Sequence, residues 1–248
     1  MKLQTPYKHD LATNQVAETL AKDGVIFFSE ATPEKLTTLL ADWTQPYPHP
    51  HESSLGLTII DSDRTESDNA KGFSRAALGL HTDRAQESEQ PTIVACLYTS
   101  PGNTGGESLI LDGKSLIRAL ERRQLLAYSD NLVLLARRRR WLTIAKQVHG
   151  PHSAFRIRYR DDNIAHPYGA TAEAARALVA VTQELEFPQI YAFNAGEGYI
   201  IHNQRILHGR TSFTGHRVAI RILATISTSS QYCFLNQGFT IDADDANR

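Results

Sequence analysis

Hydrophobic positions along the chain change period several times, and each change marks an element. Val16, Leu20 and Ala21 recur at helical spacing within residues 13–22, where Thr13 or Asn14 can cap the start and Asp23-Gly24 ends the run. Gly24-Val25-Ile26-Phe27-Phe28 is then a continuous apolar stretch of strand length. Thr32-Pro33-Glu34 supplies a cap, a first-turn proline and an acidic first turn, which predicts a helix through Trp43 with Leu36, Leu39 and Leu40 on its apolar side. Residues 46–51 are a proline-broken loop, and Leu57-Thr58-Ile59-Ile60 predicts a strand. Residues 61–71 are polar and without period, a loop that serves either as a lid or as a plain solvated connection.

Strands dominate from Pro91 onward. Residues 91–99 form a continuous apolar run, 101–106 (PGNTGG) concentrate turn formers, and 108–111 return as a second strand. Leu116, Ile117, Leu120 and Leu125 then mark one helix, or two short ones, over 114–126. Residues 132–135 and 141–144 flank four arginines, Arg137 to Arg140, which alternate faces in a strand and lack interleaved aromatics, so a solvated edge strand fits better than a nucleic-acid site. Residues 154–160 alternate cleanly, and Asp161-Asp162-Asn163 turns the chain away. The strongest helical pattern is 171–186, alanine-rich, capped by Thr171 and stopped by Pro188. Strands resume at 190–193, 199–203 and 218–227, and the tail after Gln237 is polar and acidic. Short strands separated by turns, with helices inserted irregularly, predict a mainly β protein, a jelly roll with flanking helices.

Composition narrows the class. The 248 residues suit one domain over 1–248, 41% hydrophobic and 21% charged residues describe an ordinary globular chain, and the net charge of -1 offers no lure for nucleic acid or acidic membranes. Two cysteines, Cys96 and Cys233, are too few for a disulfide framework or a four-cysteine zinc site. No stretch has the length of a membrane span and the N-terminal residues carry no apolar signal run, so the expectation is a cytoplasmic protein.

Candidate chemistry begins at Leu80-His81-Thr82-Asp83. An imidazole and a carboxylate two residues apart share a face if that run is a strand, and together they can take adjacent positions on one divalent ion once a third ligand arrives. Of the ten histidines, His9, His49, His51, His149, His152, His166 and His216 sit in polar or turn-rich sequence, where surface or hydrogen-bonding roles are expected. His202 and His208 lie in the late strand region and either can complete two imidazoles and a carboxylate, the set that leaves three positions open in non-haem Fe(II) oxygenases. Arg217 and Arg221, on one face of an apolar strand, need a counter-anion, supplied either by a protein carboxylate or by a dicarboxylic cosubstrate.

These residues resemble the Fe(II)/2-oxoglutarate-dependent dioxygenases of the taurine dioxygenase and clavaminate synthase-like family. The resemblance rests on Leu80 to Asp83, on Gly105-Gly106-Glu107-Ser108-Leu109, on residues 203–213 (NQRILHGRTSF) and on Arg217 and Arg221, in matching order and spacing over about residues 72–227. It implies a double-stranded β-helix, cupin-like, in which His81, Asp83 and His208 bind iron and Arg221 grips the distal carboxylate of 2-oxoglutarate. Ser108, where the family more often has threonine, would assist, and Arg217 matches a second family arginine near cosubstrate and substrate. Relatives commonly carry an acidic residue where His202 stands, and the family context assigns the iron to His208. The implied cofactors are Fe(II), 2-oxoglutarate and O2, and the implied reaction is hydroxylation of an unactivated C–H with release of succinate and CO2. Relatives that halogenate lack the carboxylate that Asp83 keeps here.

By position, the substrate lining would include Phe73, Arg75, Leu78, Arg84, Arg158 and Asp161. Arg75, Arg84 and Arg158 can take a carboxylate, and Asp161, Asp162 or Glu107 an amine, so a small zwitterion such as an amino acid, free or carrier-bound, is the expected substrate. Three other readings stand beside this one. The same scaffold can divert to desaturation, cyclisation or epimerisation; a cupin-like protein can bind metal without turnover; and a zinc hydrolase would need a general-base glutamate in a helical metal motif, which is not evident.

Overall fold

The first amphipathic run forms helix α1, Thr13–Asp23, and Gly24 ends it at φ +76°, where a side chain would press on the Arg205 guanidinium. The computed structural model describes residues 12–54, 56–63, 71–124, 132–136, 139–142, 144–149, 152–169, 180 and 188–241. The cap residue of α1 is Ala12 and makes no side-chain bond, because Thr13 and Asn14 already lie inside the helix. Strand β1, Val25–Phe28, follows, and then α2, Pro33–Ala41, whose Thr32 cap accepts from the Lys35 amide at 3.3 Å. Helix α2 stops short of Trp43 because Thr44–Pro46 forms a short strand, β2, in place of the expected loop. Next come β3, Leu57–Asp61, a single 3₁₀ turn at Lys71–Phe73, β4, Leu78–His81, and β5, Ile93–Pro101. The Gly-rich turn holds the two-residue strand β6, Thr104–Gly105, and leads into β7, Ser108–Asp112, and α3, Gly113–Arg122, capped by the Asp112 carboxylate.

The middle of the chain adds β8, Leu132–Ala136, β9, Arg139–Leu142, β10, Ile144–His149, β11, His152–Ile157, and β12, Ala165–Gly169. The hydrophobic pattern predicts no strand over 145–149 or 165–169. Strand β12 carries Pro167 and sits at one edge of a three-stranded sheet, where a missing amide is tolerated; β9, with Arg139 and Arg140, is the opposite edge. Arg137 and Arg138, most of the predicted helix 171–186, the central part of the polar loop (64–70), His9 and the tail 242–248 lie outside the described residues. The chain returns as β13, Gln189–Tyr191, β14, Gly198–His202, β15, Ile206–Arg210, β16, Phe213–Thr214, β17, Arg217–Ile226, and β18, Phe239–Thr240.

Two sheets make the double-stranded β-helix. The larger has the order β1-β14-β5-β17-β2, with β3 also on β17, and the smaller the order β13-β7-β15-β4. Strand β5 shows why its sequence is apolar on both faces. Ile93, Ala95 and Leu97 pack outward under α1 and α2 against Val16, Leu20, Leu36 and Leu40. Val94, Cys96 and Tyr98 pack inward with Ile110, Tyr191, Tyr199, Ile206 and Leu223, filling the space between the sheets. Both cysteines are free, and Cys96 is buried. No helix among the described residues is long and apolar enough to cross a membrane.

Candidate active site

The site lies where β4 and β15 run side by side in the smaller sheet. Their register places His208 opposite His81 and Arg210 opposite Leu78, with an irregularity between the pairs. The imidazole rings face each other with centroids 4.4 Å apart. Gly209 permits this approach: a Cβ there would stand 2.6 Å from the Leu78 carbonyl oxygen and 3.1 Å from that of Gly79.

Asp83 joins them by another route than expected. Strand β4 ends at His81, so strand alternation alone does not aim Asp83. The turn is held instead by Asn203, whose side-chain oxygen accepts from the Asp83 amide at 2.8 Å and whose Nδ2 donates to the carbonyls of Asp83 and Pro91 at 3.0 and 2.9 Å. The Thr82 amide also donates to the Tyr159 carbonyl, and Gln90 donates to the Thr82 hydroxyl. Asn203 is fully buried and makes the contacts of a backbone segment. Its place in the resembling motif was visible in the sequence, but this role was not.

His81, Asp83 and His208, all buried, each offer one ligand atom, and these atoms lie within 4.8 Å of one another. His81 Nε2 stands 3.9 Å from Asp83 Oδ1, and His208 Nε2 stands 3.8 Å from Asp83 Oδ2. Those separations are too long for hydrogen bonds and are of the size found between neighbouring ligand atoms of one ion. His81 Nδ1 lies 3.0 Å from the Gly79 carbonyl oxygen, which places its proton there and leaves Nε2 as a lone pair aimed at the centre. Asp83 Oδ2 is buried without a hydrogen-bond partner among the described residues, as a coordinating oxygen would be in the protein alone.

Electrostatics favour the same protonation states. Burial, followed by the neighbouring His208, pushes His81 down to about 3, and burial also lowers His208, so both rings are neutral at physiological pH. Burial would raise Asp83, but Arg221, whose Nη1 donates to Oδ1 at 3.0 Å, holds it ionised, well below the usual carboxylate range. Two neutral imidazoles and one carboxylate are the ligand forms that a divalent iron takes.

The two arginines of β17 diverge. Arg217 is buried between the sheets; its guanidinium lies 4.7 Å from the Tyr98 ring centroid and 5.4 Å from that of Phe213, and the Tyr98 hydroxyl bonds the buried Ser108 hydroxyl. Arg221 has other partners, Asp83 and His49 Nε2, each at 3.0 Å. Ser108 is linked to Arg217 through Tyr98, and both arginines line a small pocket with Tyr98, Tyr199, His81 and His208. His49, expected in a surface role, is half-buried and drawn down to about 3 by burial and then by Arg221. His202 is excluded from the metal cluster: its Nε2 donates to the Leu235 carbonyl at 2.8 Å, and it pairs in register with Ile93.

A cavity of about 280 Å³ opens beside Asp83, lined by His49, His51, Phe73, Arg84, Arg160 and Arg221 among others. It shares Lys71, Leu78, His81 and Arg160 with a neighbouring cleft that contains Asp161 and Asp162. Phe73, Leu78, Arg84 and Asp161 thus line space next to the metal cluster. Arg158 does not: its guanidinium donates to the carbonyls of Ala85, Glu87 and Ser88 and stacks 4.8 Å from the Trp141 ring centroid, fixing the turn after Asp83. Arg75 is exposed and tied to Asp63 and to the Gly215 carbonyl. A lone guanidinium reads the same in sequence whether it meets a ligand or its own backbone.

Residues 1–223 match the profile of the family described as Taurine catabolism dioxygenase TauD, TfdA family. Comparison with curated sequences gives no significant match. Among solved structures, PvcB from Pseudomonas aeruginosa superposes with a TM-score of 0.66 at 16% identity, over 90% of this chain and 87% of that one. A second structure of PvcB, described as an Fe, alpha-ketoglutarate dependent oxygenase from an isonitrile synthetic pathway, gives 0.65 at 17%, over 90% and 86%. A taurine dioxygenase from Burkholderia xenovorans gives 0.66 at 15%, over 98% and 96%. At these identities the superpositions speak for the fold.

Proposed function

The chain belongs to the TauD/TfdA family and is a 2-oxoglutarate-dependent dioxygenase, and we propose that it hydroxylates an unactivated C–H bond of a small anionic metabolite, such as an amino acid. In this reading His81, Asp83 and His208 hold the iron. The observation that carries it is the buried cluster of two neutral imidazoles and an ionised carboxylate with an Oδ2 unpartnered among the described residues, at the junction of two pockets that share Arg221, one of which also holds Arg217. Bound there, Fe(II) and 2-oxoglutarate would activate O2, one oxygen atom going to the substrate and the other to succinate as 2-oxoglutarate loses CO2.

The geometry favours exchanging the two arginine roles expected from the resemblance. Arg217, beside Tyr98, takes the distal carboxylate of 2-oxoglutarate: it is buried, its Nε has no partner among the described residues, and the Tyr98 it packs on is hydrogen-bonded to the Ser108 hydroxyl. Arg221 takes an anionic group of the substrate, with His49. His49 supports this by its own bonding, since the His51 amide donates to Nδ1 at 3.1 Å while the Arg221 guanidinium faces Nε2. A neutral imidazole accepts on one nitrogen only, so both nitrogens cannot accept at once. A substrate carboxylate between Arg221 and His49 gives the Nε2–H and the guanidinium a common acceptor. The cavity volume, at the lower end for ligand sites, favours a small molecule. Phe73 and Leu78 supply apolar wall that excludes water, and proximity to the metal cluster decides which carbon reacts.

The test is visible absorption of the protein under anaerobic conditions as Fe(II) and then 2-oxoglutarate are added. A weak band that needs both is expected. Arg217→Ala should raise the 2-oxoglutarate needed for the band by about 100-fold, and Arg221→Ala should leave that titration near wild type. The reverse order would return the clamp to Arg221, and no band despite bound iron would favour a metal-binding protein without turnover. Succinate release should be stimulated by amino acids and not by their methyl esters; equal stimulation by both would sink the carboxylate contact. Product mass separates hydroxylation from desaturation, cyclisation or epimerisation.

A further inference from the structure

Two residues beyond His208 on β15, Arg210 is only 5% exposed, and no described carboxylate forms an ion pair with it. Its Nη2 is directed at three backbone carbonyls of one short segment: Lys71 at 3.1 Å, Ser74, and Ala76 at 3.0 Å. The same segment is pinned a second time by the Phe213 amide, which donates to the Arg75 carbonyl at 3.1 Å. Lys71, Gly72 and Phe73 of this segment form one wall of the cavity beside Asp83. A buried guanidinium surrounded by carbonyls is a strong hydrogen-bond donor whose net charge is left uncompensated.

A second cation lies close by. Arg210 and Arg217 share the Phe213 ring, with guanidinium carbons 4.9 and 5.4 Å from its centroid. Like charges at this range in a buried setting repel, so each raises the free energy of keeping the other in place. A carboxylate on Arg217 offsets that repulsion and strengthens the docking of Arg210 on the 71–76 segment.

We propose that Arg210 is a positioning residue that fixes the 71–76 wall of the substrate cavity and couples its order to the carboxylate held by Arg217. This rests on Arg217 being the 2-oxoglutarate clamp. Cosubstrate then prepares the substrate cavity through a wall the two pockets share at Gly72 and Leu78, and Arg210 acts through the wall residues rather than on reacting atoms.

Trypsin reads the wall directly, because Lys71-Gly72 and Arg75-Ala76 are both cleavable bonds within it. Nicking at these two bonds would be followed by peptide mass on the full-length protein with Fe(II) under anaerobic conditions, with and without 2-oxoglutarate. In the wild type, 2-oxoglutarate is expected to slow both cleavages about threefold to tenfold. Arg210→Ala should speed them about tenfold without cosubstrate and abolish the protection. Arg210→Lys, which keeps a cation with several donors, should recover the protection. Equal protection by 2-oxoglutarate in Arg210→Ala and wild type would overturn the proposal, as would a wild type that forms the visible band yet shows no protection. If Arg210→Ala does not fold, the wild-type and Arg210→Lys measurements decide alone. Failure of the band to form, or an unchanged cosubstrate titration in Arg217→Ala, would instead refute the clamp assignment.

Discussion

His202 is buried to 1% exposure, and its environment lowers it to about 4, through burial partly offset by the bond to the Leu235 carbonyl. The unfolded chain takes up this proton near pH 6.5 and the native chain only near pH 4, so the unfolded state gains protons first as pH falls. Stability from this residue is therefore complete above about pH 6.5 and declines between there and about pH 4, by about 2 kcal/mol at pH 5. Urea unfolding of His202→Gln, which keeps a donor for Leu235, should show a loss between pH 7.5 and pH 5 smaller than that of wild type by this amount. An identical pH dependence would mean that His202 does not titrate on unfolding. The same variant should form the iron and 2-oxoglutarate band normally, whereas Asp83→Ala should not form it at all, because Asp83 is the one carboxylate in the buried cluster. Retention of the band in Asp83→Ala would dismantle the ligand set.

At the scale of elements, the site depends on how closely β4 approaches β15. Gly209→Ala would drive a methyl group into the Leu78 and Gly79 carbonyls, so the strands must part where His81 and His208 meet. We expect a destabilisation of about 1–3 kcal/mol, measured by urea unfolding, and weaker iron binding by titration. Normal iron affinity would show that the cluster tolerates the shift. Much of this was legible in sequence where a signal is local. The Thr32-Pro33 start of α2, the Gly24 stop of α1 and the two apolar faces of β5 all follow from neighbouring residues. His81, Asp83 and His208 were legible as a set by resemblance, and the structure brings the three together. Contacts between distant residues were not: nothing near Asn203 announces that it braces the turn of Asp83, and nothing near Arg158 announces that three carbonyls await it. The arginines of β17 were recognisable as a pair, but which one packs on Tyr98 depends on strand pairing across the barrel.

For the molecule as a whole, the two sheets contribute different halves of the machinery. His81 and His208 belong to the smaller sheet, and Arg217 and Arg221 to the larger. A cosubstrate that bonds the metal at one end and Arg217 at the other ties the sheets together, so its binding should register as global stability. At 2-oxoglutarate about 100 times its dissociation constant, with iron present, the gain is about 2.7 kcal/mol, or about 5–10 °C in Tm. Differential scanning calorimetry would read it; Arg217→Ala should keep the shift due to iron and lose the part due to cosubstrate, and a full shift in that variant would place the carboxylate elsewhere. Strand β17 has one more consequence. Its two arginines sit four residues apart on a single hydrogen-bonded strand, about 13 Å along the backbone, flanked by β5 and β3. A strand held on both sides is a rigid ruler. With the roles proposed here, the enzyme measures its substrate from the acid group, and a homologous series of longer acids would be oxidised at a constant distance from that end, with each added methylene changing the chemical name of the carbon but not its place in the site.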